Sequence, residues 1–134
     1  MGKPAANAAA PSDVSPAAAV ETAIDFEHLA RMTFGEHNLE REVLMLFDRQ
    51  AGILLARMRN APPSVVAAYA HTLKGSARGI GAWRVAEAAD AVETNAVHLD
   101  KRAASSAVNR LYAAVDEAKA LIADFLRACA GRGA

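Results

Sequence analysis

The sequence predicts an all-α protein, an antiparallel up-and-down four-helix bundle with a short extra N-terminal helix. Apolar residues recur at steps of three and four along most of the chain, which places them on one face of a helix. No useful length of sequence alternates apolar and polar residues as a strand does, and no internal repeat is found. Proline and glycine residues divide the helical stretches into lengths that can pack side by side.

The length and composition fit one small helical domain. Its 134 residues are 53% hydrophobic, and many of them are alanine, which lets helices approach closely. Fifteen basic residues balance fifteen acidic ones, so the total charge does not suggest binding to nucleic acid or a membrane. The single cysteine, Cys129, has neither a disulfide partner nor the spacing of a zinc site. We therefore expect a cytoplasmic protein.

The first part of the chain, residues 1–22, is expected to be a disordered tail rich in alanine and proline. Three prolines and an aspartate interrupt the apolar run of about 7 to 15 residues that a secretory signal needs. No later run reaches the roughly 18 apolar residues of a membrane span. The helical bundle is expected over residues 23–130, and residues 131–134 are expected to be flexible.

The stretch IDFEHLARM predicts a short first helix, with Asp25 as its cap and Gly35 as its stop. The first long helix is expected from about Asn38 to Asn60, with Glu40 and other charged residues turned away from the core. Its expected buried face consists of Leu39, Val43, Leu46, Phe47, Gln50, Ile53, Leu54 and Met58.

The two prolines of NAPPS end that helix and fit the first turn of the next, with Ser64 as a possible cap. This third helix is expected to run from about Ser64 to Arg78 or Gly79, where the glycines of GIGA permit a left-handed stop. A fourth helix is expected from about Trp83 to Leu99, and a fifth from about Ser105 to Ala130. Their expected buried residues are Val85, Ala89, Val92, Ala96 and Leu99, and then Val108, Leu111, Val115, Ile122, Phe125 and Leu126.

Helical geometry places His71 on the exposed side of the third helix. A helix turns about 100° per residue, so the residues opposite the imidazole can be identified by their spacing. They are apolar and form the expected buried face: Val66, Tyr69, Leu73 and Ile80. The residues on the imidazole's own side are small or basic: Ala67, Ala68, Lys74, Gly75 and Arg78.

The neighbours of His71 favour a role in carrying phosphate. An unperturbed histidine, with a pKa near 6.5, offers a neutral nitrogen as a nucleophile at about pH 7. The ammonium of Lys74, one turn away, can offset much of the charge of a phosphoryl group, about −1.5 to −2. Gly75 costs the helix about 1 kcal/mol relative to alanine, and either its missing side chain gives another protein's surface clearance or it is a tolerated or helix-ending glycine. Arg78 can steer an acidic partner toward the helix.

These residues carry a resemblance to a known family. The sequence HTLKGSA at residues 71–77, followed by IGA at 80–82, resembles the phosphoacceptor helix of the histidine-containing phosphotransfer (HPt) domains of bacterial multistep phosphorelays. The similarity extends over about residues 24–128. It implies that His71 accepts a phosphoryl group from a receiver's aspartyl phosphate and passes it to another receiver's aspartate. It also implies that Lys74 stabilises the phosphorylated ring and that Gly75 gives the receiver room.

The resemblance also implies the partners and the absence of a cofactor. The expected partners are receiver domains, one in a hybrid histidine kinase and one in a downstream response regulator, and the chain itself is expected to be monomeric. Receivers are expected to touch the first two helices also, where exposed apolar residues near Met32 and Leu44 are candidates. The Mg²⁺ of the reaction is expected on the receiver, so we predict no metal or cofactor on this chain. The other three histidines show no metal-ligand spacing.

The chain has no glycine-rich nucleotide loop, so we expect a phosphocarrier without ATP-dependent autokinase activity.

Two other readings of the sequence remain open. The bundle could instead bind a receiver or kinase as a scaffold or inhibitor that carries no phosphate. SARGIGAWRVAEAADAV could also form a DNA-binding helix-turn-helix, but the acidic residues Glu87, Asp90 and Glu93 would repel a phosphate backbone. We therefore expect neither nucleic acid nor a membrane as a partner.

Overall fold

The four long helices pack in chain order and close into a bundle. The computed structural model describes residues 22–98 and 100–133, with side chains up to residue 131. The helices in this part of the chain are α1 (Phe26–Met32), α2 (His37–Met58), α3 (Pro63–Ile80), α4 (Trp83–Ala96) and α5 (Lys101–Gly133). Each of α2 to α4 contacts the next helix, α2 also contacts α5, and α1 packs against α3. The predicted fold class is confirmed, whereas the predicted tail lies outside the described residues except for Thr22.

The start of α3 and the end of α4 differ slightly from the sequence-based boundaries. Pro63 occupies the first turn of α3, and Pro62 is its N-cap residue. No side chain caps this helix, so Ser64 does not have the capping role suggested for it. Helix α4 ends at Ala96, and Leu99, which was expected to be buried on it, lies outside the described residues.

Helix α5 is longer than predicted at both ends. It begins before Ser105 because the carboxylate of Asp100 accepts hydrogen bonds from the backbone N–H groups of Arg102 and Ala103. It also continues to Gly133, so residues 131–133, which were expected to be flexible, are helical. A glycine in a helix costs only about 1 kcal/mol, and no proline stands at this point to end α5.

The buried face of α2 is rotated relative to the prediction. Phe47, Leu54 and Met58 are buried as expected, but Leu44 is fully buried at 0% exposure and Glu40 is buried as well. Three residues expected in the core are exposed instead: Leu39, Leu46 and Ile53. Apolar residues occupy more than half of the circumference of α2, and its contacts with both α3 and α5 decide which part of that arc is covered. Leu44 itself is therefore not an exposed docking residue, whereas Leu46 near it is exposed.

The remaining core largely follows the sequence pattern, with small residues between α3 and α4. Leu73 and Ile80 are buried as predicted, whereas Val66 and Tyr69 are half-buried. Buried alanines line the contact between the two helices: Ala70, Ala77, Ala82, Ala86 and Ala89. On α4 and α5 the expected residues Val85, Ala89, Val92, Ala96, Leu111, Val115 and Ile122 are buried, and Val108, Phe125 and Leu126 are half-buried. The alanines allow the backbones of α3 and α4 to pack closely.

Asp25 joins the first helix to the turn between α3 and α4. It caps α1 as predicted, because its Oδ1 accepts a hydrogen bond from the backbone N–H of His28 at 3.1 Å. Its Oδ2 accepts a hydrogen bond from Trp83 Nε1 at 3.0 Å, and its own N–H donates to the Gly81 carbonyl at 2.9 Å. The hydrogen bond from Trp83 is the main cause of the lowered pKa of Asp25, and partial burial acts in the opposite direction. Trp83 thus anchors this corner through its hydrogen bond to Asp25.

The conformation of Gly81 generates a stability prediction. Gly81 has φ +81°, and a Cβ atom there would lie 2.8 Å from the Asp25 carbonyl oxygen, whereas a Cβ at Gly79 would meet nothing within 4 Å. We expect Gly81→Ala to lower the free energy of unfolding by about 1–3 kcal/mol. The control Gly79→Ala is expected to raise it by up to about 1 kcal/mol. Urea unfolding followed by circular dichroism measures both, and equal effects would contradict the role given to the turn.

Candidate functional site

His71 stands on the solvent side of α3. Its side chain is 68% exposed, whereas Ala70 and Leu73 beside it in the sequence are fully buried. The residue lies well inside the helix, so the backbone that carries the ring is hydrogen-bonded on both sides. The prediction of an outward-facing imidazole on a regular helix is confirmed.

One nitrogen of the His71 ring is held by a carboxylate on the neighbouring helix. Nδ1 of His71 lies 3.0 Å from Oε2 of Glu93 on α4. Contact with Lys74 is the main cause of the lowered pKa of Glu93, with a smaller lowering from His71, while burial opposes both. An ionised carboxylate only accepts hydrogen bonds, so Glu93 requires the proton of the neutral ring to be on Nδ1. Nε2 then carries the lone pair and is the nucleophilic nitrogen.

Lys74 lies one turn from His71, as predicted, and is bound by two carboxylates of α4. Its Nζ is 2.7 Å from Oε1 of Glu93 and 3.1 Å from Oδ1 of Asp90. The side chain is only 14% exposed. Glu93 and then Asp90 raise the pKa of Lys74, so its ammonium is charged over the physiological range. The cation predicted to stabilise a phosphoryl group is therefore already engaged in ion pairs.

The predicted contact residues lie on both sides of the imidazole. Ala68 and Gly75 are exposed on the side toward α2, and a Cβ atom at Gly75 would meet nothing within 4 Å. Ala67 is half-buried and Arg78 is exposed on the side toward α4. Within the described part of the chain Arg78 forms no salt bridge. Packing inside the protein does not require a glycine at position 75, and the space above it is open.

Helix α2 borders the site with an exposed apolar stripe. Ser76 Oγ donates a hydrogen bond of 2.8 Å to Oε1 of Gln50, which ties α3 to α2 beside the site. Leu46 and Ile53 lie about one turn to either side of Gln50, and Leu46 is 58% exposed. Leu39 is exposed on the same side of the helix. We call Leu39, Leu46, Gln50 and Ile53 the α2 flank.

Sequence reasoning missed the contacts that Asp90 and Glu93 make with α3. It treated the two acidic residues only as charges that would repel nucleic acid. The sequence did contain a signal for these contacts, because α3 and α4 form an antiparallel hairpin with Ala82 in its turn. His71 and Glu93 are equidistant from Ala82 in the sequence, and so are Lys74 and Asp90. Residues related in this way face each other in a tight hairpin of helices.

Residues 22–98 and 100–133 contain neither a cluster of metal ligands nor a membrane-spanning helix. No group of three or more histidine, cysteine, aspartate or glutamate residues is placed to hold a metal ion. None of the helices in this part of the chain combines the length and the hydropathy needed to cross a membrane.

Comparison with known proteins gives consistent matches. Residues 38–125 match the family model described as the Hpt domain. The solved structure of the histidine phosphotransferase ShpA from Caulobacter crescentus is similar with a TM-score of 0.67 and 28% identity, covering 83% of this chain and 97% of that one. A putative histidine-containing phosphotransfer protein from rice has a TM-score of 0.64 at 16% identity, covering 83% and 87%, which shows the shared fold alone. A search of curated proteins found no match.

The contact between His71 and Glu93 predicts the tautomer of the ring. In the folded protein above the histidine titration, ¹⁵N NMR is expected to show the proton of His71 on Nδ1, because the ionised Glu93 accepts it. Glu93→Ala is expected to shift the ring toward a mixture of tautomers. Glu87→Ala, an exposed carboxylate on the same helix, is expected to leave it unchanged. A ring whose tautomer is unaffected by Glu93→Ala would contradict the assignment.

Proposed function

Because the chain belongs to the Hpt domain family, we propose that His71 is the residue that carries the phosphoryl group. The protein is a histidine phosphotransfer protein, which shuttles a phosphoryl group between receiver aspartates and a histidine in a multistep phosphorelay. The assignment to His71 rests on the exposed ring, the carboxylate at Nδ1 and the lysine one turn away.

The other three histidines support the carrier role less well. His28 is half-buried against Trp83, and its Nε2 is buried. His98 is exposed just beyond the end of α4. His37 is exposed and has a carboxylate at its Nδ1, that of Glu40, but it lies outside the segment that matches the family. His71 alone of these four combines exposure, a carboxylate on the next helix and a lysine one turn away.

The chemistry follows from the two nitrogens of the His71 ring. The lone pair of Nε2 attacks the phosphorus of the receiver's aspartyl phosphate, and the O–P bond breaks with its electrons remaining on the aspartate. The ring becomes cationic while Nδ1 keeps its proton, and the carboxylate of Glu93 stabilises that charge. Transfer to the next receiver reverses these steps. Phosphoryl transfer depends mainly on in-line positioning and charge stabilisation, so we assign the Mg²⁺ and the acidic pocket to the receiver.

We also propose that the receiver docks over Gly75 and the α2 flank. Gly75 and Gly79 leave open space between His71 and α2, which lets another backbone approach. Leu46, one turn from the Gln50 that binds Ser76 of α3, presents apolar area beside that space. Met32 at the end of α1 is exposed as well, and Leu46 is the exposed docking candidate near Leu44 on α2. Apolar patches of this kind on small proteins commonly mark contact surfaces.

Membership of the family indicates the class of partner but not the individual partners. Hpt domains work with response-regulator receivers, and that statement applies to this chain as a member. We propose that one receiver belongs to a hybrid histidine kinase and another to a downstream regulator. A monomeric state and a cytoplasmic location stay predictions from the sequence.

The carrier assignment predicts a selective loss of labelling. Incubation with a receiver phosphorylated with radioactive phosphate is expected to give acid-labile, base-stable label on the wild type. His71→Gln is expected to reduce the label to background without loss of helicity, because the ring is exposed and not part of the core. The control His37→Gln removes a ring that is even more exposed than that of His71 and is expected to keep full labelling. Label on His71→Gln would exclude His71 as the carrier, and a wild type that binds the receiver without label would indicate a scaffold.

The docking proposal predicts which surface changes weaken receiver binding. Gly75→Leu fills the open space beside His71, and Leu46→Gln removes apolar contact area, so each is expected to weaken binding about tenfold. Met45→Gln is the control, because Met45 is 45% exposed on the same helix but on the side that faces α5. Titration calorimetry with the receiver measures the affinities, and circular dichroism checks the fold. Equal affinities for Leu46→Gln and Met45→Gln would exclude the α2 flank.

A further inference from the structure

We propose that Asp90 is a positioning residue that shortens the lifetime of the phosphohistidine, because it competes with the phosphoryl group for Lys74. This inference rests on the proposed function, in which His71 is the carrier. The carboxylate of Asp90 contacts the Lys74 ammonium at 3.1 Å and is 56% exposed. It has no hydrogen bond or salt bridge to the ring of His71 in the described part of the chain. Asp90 therefore touches the site only through Lys74.

The arrangement of charges around Lys74 supports this competition. Two carboxylates, of Asp90 and Glu93, face one ammonium, so the group carries one net negative charge beside a neutral His71. A phosphoryl group on Nε2 adds about −1.5 to −2 charges, and the positive charge that the ring gains offsets only part of this, so the site becomes more negative. Lys74 is mostly shielded between α3 and α4 and is held from the α4 side. The ion pair with Asp90 opposes any movement of the ammonium away from α4 and toward the phosphoryl group.

This competition affects the phosphorylated state more than the free state. In the free protein the Lys74 ammonium contacts both Asp90 and Glu93, and their two negative charges outweigh its single positive charge. In the phosphorylated protein, the ion pair with Asp90 holds the ammonium toward α4 and offsets part of the positive charge that would otherwise act on the phosphoryl group. The phosphohistidine is therefore less stable, and the N–P bond is more readily broken in favour of a receiver's aspartate or water. A carrier that has to hand on its cargo benefits from such a limited lifetime.

A substitution at Asp90 tests the effect on Lys74 separately from the other interactions of the site. Glu93 also holds Nδ1 of His71, so a change at Glu93 alters the tautomer together with the charge. Asp90→Asn keeps the shape of the side chain and removes only its charge. The matched control is Glu87→Gln, because Glu87 lies one turn earlier on α4, is exposed and forms no salt bridge to a described residue.

The test measures the lifetime of phosphorylated His71 in the full-length chain. Phosphoramidate is a small phosphoryl donor that needs no docking surface, and after its removal NMR signals of the His71 ring follow the decay. Phosphorylated His37, which is exposed and remote from Asp90 in the fold, serves as an internal reference in each sample. The variants are Asp90→Asn, Glu87→Gln, Lys74→Ala and the double variant of Asp90 and Lys74, each checked for helicity by circular dichroism.

We expect Asp90→Asn to lengthen the half-life of phosphorylated His71 about two- to fivefold, the range of an exposed ion pair. Glu87→Gln is expected to leave it unchanged, and Lys74→Ala to shorten it. Without Lys74, removal of the Asp90 charge is expected to have no further effect. An unchanged or shorter half-life in Asp90→Asn would overturn the proposal, and so would the same lengthening in the absence of Lys74. The labelling of His71 by a receiver is measured separately, so its failure is distinguishable from a failure here.

Discussion

The close antiparallel packing of α3 against α4 is the constraint on which the site depends. The left-handed conformation of Gly81 reverses the chain within a tight turn, and the Asp25 backbone lies too near to admit a side chain there. Buried alanines then bring the two helices together along their length. Because the helices are this close, the short carboxylates of α4 reach the imidazole and the ammonium on α3. The turn therefore sets the register in which Glu93 meets His71 and Asp90 meets Lys74.

The imidazole stands at the boundary between two surfaces of different character. On the α4 side the neighbours are charged, and they determine the proton position on the ring and the use of Lys74. On the α2 side the neighbours are small or apolar, with open space above Gly75 and exposed leucine and isoleucine beyond it. Electrostatic control of the ring and room for a partner are thus provided by different helices.

The acidic residues of α4 support one conclusion in the sequence and another in the structure. As a row of negative charges, Glu87, Asp90 and Glu93 argue against a nucleic-acid partner. In the bundle two of the three form ion pairs with α3, and only Glu87 is left without one among the described residues. In the sequence these charges resemble a solvent-exposed helix face. In the structure Glu93 contacts the ring of His71 and Asp90 contacts Lys74. The exposed ion pairs add little stability, so their main effect is on the position and charge of the ring and the lysine.

The sequence by itself determined the helices, the outward direction of His71 and its spacing from Lys74 and Gly75. These features depend on the 3.6-residue repeat within one helix, which local sequence specifies. Only the tertiary structure decided that Leu44 is buried while Leu46 is exposed, and that Glu93 holds the ring. The apolar arc of α2 is wide enough to be buried in more than one orientation, and its contacts with α3 and α5 select one. The pairing of His71 with Glu93 likewise depends on the register between two helices, a property of their packing that neither helix specifies alone.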